Sequence, residues 1–231
     1  APATDQPFSF GVVSDVQGYL RPSHSFDNCA EMLVDQGVDF WLQLGDLVQA
    51  GGTPGQWMAF FEGGRTVFEK IPLMAVRGNH EAYGDPDYYF TQGLFPYLDN
   101  PDRHYSFEYC NSLFVGLDNT RAAESASWLD DKLYNTTATW KFASWHTNPY
   151  STGGHGGDAL PGLLTNVLPI VQQYAVTTVF NGHSHAYEWT HPIAQMGNPP
   201  VLDKATVISN VLAEANTSQG TIFYNGAGVN S

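Results

Sequence analysis

The sequence predicts an α/β protein, and three observations lead there. Short apolar, β-branched runs recur along the first 80 residues. A stretch of helical length separates each of these runs from the next, the order expected of right-handed βαβ units. Asp, Asn, Gln and His follow directly on five apolar runs, and in α/β sheets ligands bind at the carboxyl ends of strands.

The elements follow in order. Residues 8–14 (FSFGVVS) read as a buried strand and 27–36 (DNCAEMLVDQ) as a helix ended by Gly37. Residues 38–44 form the second strand. A helix is expected from Pro54, a residue suited to a first turn, through Phe68, and residues 71–76 are the third strand. Residues 81–104 form a long irregular segment carrying Tyr83, Tyr88, Tyr89, Phe90, Phe95 and Tyr97; such segments are often functional, and these rings either stack an aryl group or nucleobase or pack on themselves. Residues 105–109 and 113–117 read as a hairpin turning at Asn111-Ser112, and 125–134 as a helix. Residues 142–145 are a strand followed by a Gly-rich loop, 151–157. Residues 163–174 form a helix interrupted by Pro169. Residues 176–180 are a strand with 187–193 as its return, and 221–224 the last strand. Without a repeat or linker, the expectation is a single domain over 1–231, with 1–7 a flexible N-terminus.

Composition narrows the function classes. Nine Lys plus Arg against 23 Asp plus Glu give a net charge of −14 and a pI near 4.6. So few cations argue against a grip on a nucleic-acid polymer. No apolar run reaches the ~18 residues of a membrane span. The cation-poor composition and the small, polar start at Ala1 fit a secreted or periplasmic protein. Asn135-Thr136-Thr137 and Asn216-Thr217-Ser218 match the glycosylation pattern. Cys29 and Cys110 are either two thiols or one disulfide. A monomer or small homo-oligomer is expected.

The strand ends carry the chemistry. The first run leads into Asp15-Val16-Gln17, the second into Gly45-Asp46 and the third into Gly78-Asn79-His80-Glu81. The run at 142 leads into His146, and the run at 176 into Asn181-Gly182-His183-Ser184-His185. A glycine before Asp46, Asn79 and His183 is expected to allow a sharp turn after each strand. Taken singly, an Asp or Asn behind a strand is ordinarily a turn or cap. Together on one edge, imidazole and carboxylate suit Zn, Mn, Fe or Ni. The candidates exceed one four-coordinate site and fit two divalent ions sharing a carboxylate, about 3.5–4 Å apart. No G-x-S-x-G elbow or G-x-x-x-x-G-K-[ST] loop offers a different chemistry.

In this order, Asp15-Val16-Gln17, Gly45-Asp46, Gly78-Asn79-His80-Glu81, Trp145-His146 and Gly182-His183-Ser184-His185 resemble the calcineurin-like metallophosphoesterase family. That family's pattern is D-x-H, GD, GNH[DE], H and GHxH, and the match spans Asp15 to His185. The GNHE and GHxHAYE forms resemble its purple-acid-phosphatase-like branch. The resemblance implies a four-layer α/β/β/α sandwich of two mixed sheets flanked by helices. It implies that Asp46 bridges two divalent ions, that Asp15, His185 and Gln17 hold the first, and that Asn79, His146 and His183 hold the second. Asn79 and His155 would also face the substrate. His80 would bind no metal but stabilise the phosphoryl charge or protonate the leaving oxygen. A hydroxide between the metals would attack phosphorus.

Three departures qualify this. Gln17 stands where the family usually has His, and its amide oxygen is a neutral, weaker ligand. Gln49 stands where purple acid phosphatases have a tyrosinate, which favours two divalent ions over a ferric site. The chain stops soon after Gly226-Ala227-Gly228, earlier than many relatives, so a C-terminal piece is expected to be absent. The expected activity is hydrolysis of a small phosphomonoester. The alternatives are a phosphodiesterase acting on nucleotides, cyclic ones included, or related diesters, and a non-catalytic metal- or ligand-binding module of the same fold.

Overall fold

A computed structural model describes residues 6–17, 25–98, 103–156, 158, 161–190, 193 and 222–225. The expected N-terminal segment falls mostly outside these residues, as do the glycosylation triplet at Asn216 and the tail at Gly226-Ala227-Gly228. Two sheets form. In the first, β1 (Phe10–Val13), β2 (Phe40–Gln43) and β3 (Leu73–Ala75) pair in parallel in that order. The second sheet contains β4 (Tyr105–Tyr109), β5 (Ser112–Gly116), β6 (Trp140–Thr147), β7 (Thr178–Gly182), β8 (Glu188–Trp189) and β9 (Ile222–Asn225). Its order is β4-β5-β6-β7-β9-β8. The second sheet is mixed as expected, whereas the described part of the first is wholly parallel.

Period-two patterning decides what each strand buries. Phe114, Phe142 and Phe180 of the second sheet join Phe10 and Phe40 of the first in one aromatic layer between the sheets. Their neighbours Leu113, Val115, Ala143, Trp145 and Val179 face the other way, toward α5 (Ala122–Asn135), a π-helical turn at Leu163–Val167 and α6 (Leu168–Gln173). On the outer side of the first sheet, α1 (Ser25–Gln36), α2 (Pro54–Gly63) and α3 (Arg65–Phe68) cover Trp41 with Phe26, Phe60 and Phe68. This is the expected layering of helices, sheet, sheet and helices.

Several local expectations need correction. The helix expected over 54–68 breaks at Gly64, where a Cβ would collide with the rings of Phe26 and Phe68. The segment 187–193 does not return along β7. Instead β9 lies parallel to β7, and the two-residue β8 pairs antiparallel with β9 at the edge. Among its described residues, the irregular segment opens on a 3₁₀ turn, His80–Ala82, and holds a short helix, α4 (Tyr88–Thr91). Cys29 and Cys110 are both free. Asn135 is exposed at the end of α5. Among the described residues, no helix is long and apolar enough to cross a membrane.

Candidate metal centre

Five strands deliver the candidate residues to one edge: β1 brings Asp15 and Gln17, β2 Asp46, β3 Asn79 and His80, β6 His146, and β7 His183 and His185. Asp15, Gln17, Asp46 and His146 are all buried. The turns that aim them are strained. Asp15, Asp46, His183 and His185 adopt positive φ of 55°, 56°, 70° and 50°, a region L-residues visit at a cost. The ligating residues thus make the turns themselves. Of the glycines expected to turn the chain before Asp46, Asn79 and His183, only Gly45 has positive φ (93°). Gly78 and Gly182 are instead needed for space, because a Cβ on either would overlap Asp46 or the Ser14-Asp15 pair.

Three donor groups form among the described residues; one, His155 with Asp158 and His183, lies at the rim, and two meet at Asp46. Around His146, Nε2 lies 3.3 Å from Asp46 Oδ2, 3.0 Å from Asn79 Oδ1 and 3.2 Å from His183 Nδ1. In the other, His185 Nε2 is 3.4 Å from Asp15 Oδ1, and donor atoms of Asp15, Asp46 and His185 all lie within 4.8 Å of one another. Asp46 belongs to both groups. Gln17 reaches the same carboxylate, its Nε2 3.2 Å from Asp46 Oδ2, while its buried Oε1 has no partner among the described residues. Gln49 is exposed and contributes its carbonyl oxygen, 2.9 Å from His80 Nδ1.

The surroundings fix these groups. His146 Nδ1 donates to Leu44 O at 2.7 Å, which leaves Nε2 turned to the centre. Asp15 accepts the His183 amide through both oxygens, at 2.9 and 3.1 Å, and the Ser14 hydroxyl. Asp46 Oδ1 accepts the His80 amide at 2.9 Å. Asn148 Nδ2 donates to Gly182 O and Ser184 Oγ, holding the turn that carries His183 and His185.

Charge explains the protonation. Burial would push His146 down, but the Asp46 carboxylate and its hydrogen bond outweigh it and raise the imidazole to about 10. Burial would raise Asp46, but His146 and the His80 amide leave it below the ordinary carboxylate range. Burial, followed by neighbouring His146, lowers His183. His185 is raised by its hydrogen bond to Asp15. In the protein alone, a proton on His146 therefore occupies the point where nitrogen and oxygen donors converge. An orphaned amide oxygen and a convergent set of imidazole, carboxylate and amide donors fit divalent cations of the Zn, Mn, Fe or Ni type.

His155 reaches the rim, with its ring 4.7 Å from that of His183 and 6.2 Å from that of His185. His80 lies beside Asp46 with Nε2 3.8 Å from Oδ2, beyond hydrogen-bond range. Sequence reasoning missed two participants. Asp158 Oδ2 lies 2.9 Å from His155 Nδ1 and 3.3 Å from His183 Nε2, so one carboxylate joins the loop histidine to a candidate ligand. Its only signal was an acid at the end of the Gly-rich loop. Glu81, visible as the last letter of the GNHE motif, accepts the amides of Asp46, Leu47, Val48 and Gly78 at 2.6–3.2 Å. Burial and the neighbouring Asp46 push its carboxyl up to about 7, against the pull of His146 and these amides.

Known proteins resemble this chain. The family model for calcineurin-like phosphoesterase matches residues 8–187. Purple acid phosphatase 15 of Arabidopsis thaliana is 29% identical over 147 residues, covering 57% of this chain and 27% of the relative. Purple acid phosphatase 18 of the same plant is 27% identical over 211 residues, covering 82% of this chain and 46% of the relative. The chain thus spans less than half the length of either. A purple acid phosphatase from yellow lupin (Lupinus luteus) seeds superposes with a TM-score of 0.72 at 19% identity, covering 96% of this chain and 44% of that one. At that identity the likeness is one of fold.

Proposed function

The chain belongs to the calcineurin-like phosphoesterase family, and from that premise we propose that it hydrolyses small phosphomonoesters at a centre of two divalent cations. The observation that carries this reading is the place of Asp46, whose carboxylate is common to two of the donor groups, as a ligand shared by two cations must be. Asp15, Gln17 and His185 would complete one set, and Asn79, His146 and His183 the other. When bound, such cations supply Lewis acidity toward the phosphoryl group and acidify a water.

The remaining work falls to the chain's own side chains. His80 donates Nδ1–H to Gln49 O, so Nε2 is the atom available to the substrate. From there it stabilises phosphoryl charge or passes a proton to the leaving oxygen. His155, held through Nδ1 by Asp158, offers Nε2 to the phosphate from the rim. Nine Lys and Arg against 23 Asp and Glu in the chain suit a small substrate better than a long polyanion. A secreted or periplasmic location belongs to the same proposal and rests on composition.

A second reading has an observation in its favour. The Gln17 amide is hydrogen-bonded to the shared Asp46 carboxylate, as expected of a binding module that holds the fold without turnover. Metal analysis paired with assays on nitrophenyl phosphate and bis-nitrophenyl phosphate separates the cases. Two metals with faster monoester cleavage supports the proposal. Faster diester cleavage shifts it to a phosphodiesterase, and metal without turnover shifts it to the module.

A further inference from the structure

Most of the aromatic segment that follows His80 packs on itself. Tyr89 and Phe95 are buried among Trp57 and Phe61, and Tyr97 spends its hydroxyl on the Ala75 amide. Tyr83 does not join them. It is 51% exposed, and its ring stands edge-on to His80 at 69°, with centroids 5.0 Å apart.

The backbone of Tyr83 is pinned from two sides. Its amide donates to His80 O at 3.1 Å, and its carbonyl accepts the Gly52 amide at 2.9 Å. Gly52 has no room for a Cβ against Gly84-Asp85, so the loop after Asp46 and the turn carrying Tyr83 lie in close contact. The ring is therefore a half-exposed aromatic surface on a pinned backbone, in edge contact with the His80 imidazole.

This placement bears on the leaving group. If His80 serves the leaving oxygen, the atoms attached to that oxygen pass beside His80, where Tyr83 offers an exposed ring in contact with it. We propose that Tyr83 forms the wall of the leaving-group subsite and that the preferred substrates are phosphomonoesters whose leaving group is an aromatic ring bonded directly to the ester oxygen. This rests on the phosphomonoesterase reading. The Tyr83 ring is in direct contact with the His80 ring, so a leaving group whose ring is bonded to the oxygen served by His80 is the kind brought next to it. Offset or edge contact between rings adds affinity that an alkyl group does not receive.

Non-hydrolysable phosphonates test this without the bias of leaving-group reactivity. Benzylphosphonate and ethylphosphonate, in which a CH2 replaces the ester oxygen, are titrated into the metal-loaded protein by calorimetry, and each is measured as an inhibitor of nitrophenyl phosphate hydrolysis. The proposal expects benzylphosphonate to bind about three- to tenfold more tightly. Tyr83→Phe keeps the ratio. Tyr83→Ala brings it to about one by weakening benzylphosphonate alone; if Tyr83 served only to pack His80, both ligands would weaken together. Equal affinities in the wild type, or a ratio that survives Tyr83→Ala, overturns the proposal while leaving phosphomonoester hydrolysis standing. Absence of phosphonate binding together with absence of turnover overturns both.

Discussion

The Glu81 carboxylate accepts the backbone amide of Asp46 at 3.0 Å, and its grip extends to the amides of Leu47, Val48 and Gly78. One buried side chain thus ties the turn after β2 to the turn after β3, and so sets the shared candidate ligand against Asn79 and His80. Glu81→Ala would leave four amides without acceptors. The expected loss is about 3 kcal/mol or more of folding stability, together with weaker metal binding. Chemical denaturation of the metal-free protein and metal titration check both.

The proton on His146 competes with a cation for Nε2. His146 is raised in the folded, metal-free chain, so the stability its proton contributes is complete below the ordinary value near 6.5 and is lost as pH climbs through about 10. The metal-free protein should therefore lose stability between about pH 7 and 10. Metal affinity should rise over the same window, with about one proton released from this site per chain. Calorimetry in buffers of different ionisation enthalpy counts the proton.

Asp158 holds the far nitrogen of His183 while Nδ1 faces His146. A carboxylate so placed selects the tautomer that leaves Nδ1 free to ligate. Asp158→Asn is expected to weaken one of two metal sites by about tenfold, the low end for such partners because Asp158 is half exposed. It should also raise KM more than it lowers kcat, since His155 loses the same partner. Sequential metal titration with paired kinetics reads both effects.

His80 lies beside the centre yet bonds none of its side chains through Nε2 at hydrogen-bond distance. His80→Asn should retain the metals and lower kcat by about 10²- to 10⁴-fold, the usual contribution of a positioned proton donor. Metal analysis of the same preparation distinguishes this from loss of the centre.

The candidate ligands were legible because each directly follows a short apolar run, and a strand's end is a fixed place in an α/β sheet. His183 and His185 could be paired from their spacing alone. Asp158 was not legible, because a Gly-rich loop has no periodicity to aim a side chain, and its partner His183 is 25 residues away. Glu81 was visible, but its function lies in four backbone amides that no side-chain pattern reports. The place of β8 depends on β9, more than 30 residues later, inserting beside β7. The helix boundary falls at Gly64, a position that Phe26 and Phe68 reserve for glycine, a tertiary contact that helical periodicity ignores. Among the aromatic residues after His80, composition treated Tyr83 and Tyr89 alike, and packing separated them.

The central claim is that two cations share Asp46 and together make the chain a phosphomonoesterase. Titrating metal-free protein with Mn or Zn while following both bound metal and nitrophenyl phosphate hydrolysis tests it directly. The account predicts two ions per chain, hydrolysis that appears as the second ion binds, and loss of both ions in Asp46→Ala. Full hydrolysis with one ion bound, or two ions bound without hydrolysis, would contradict it.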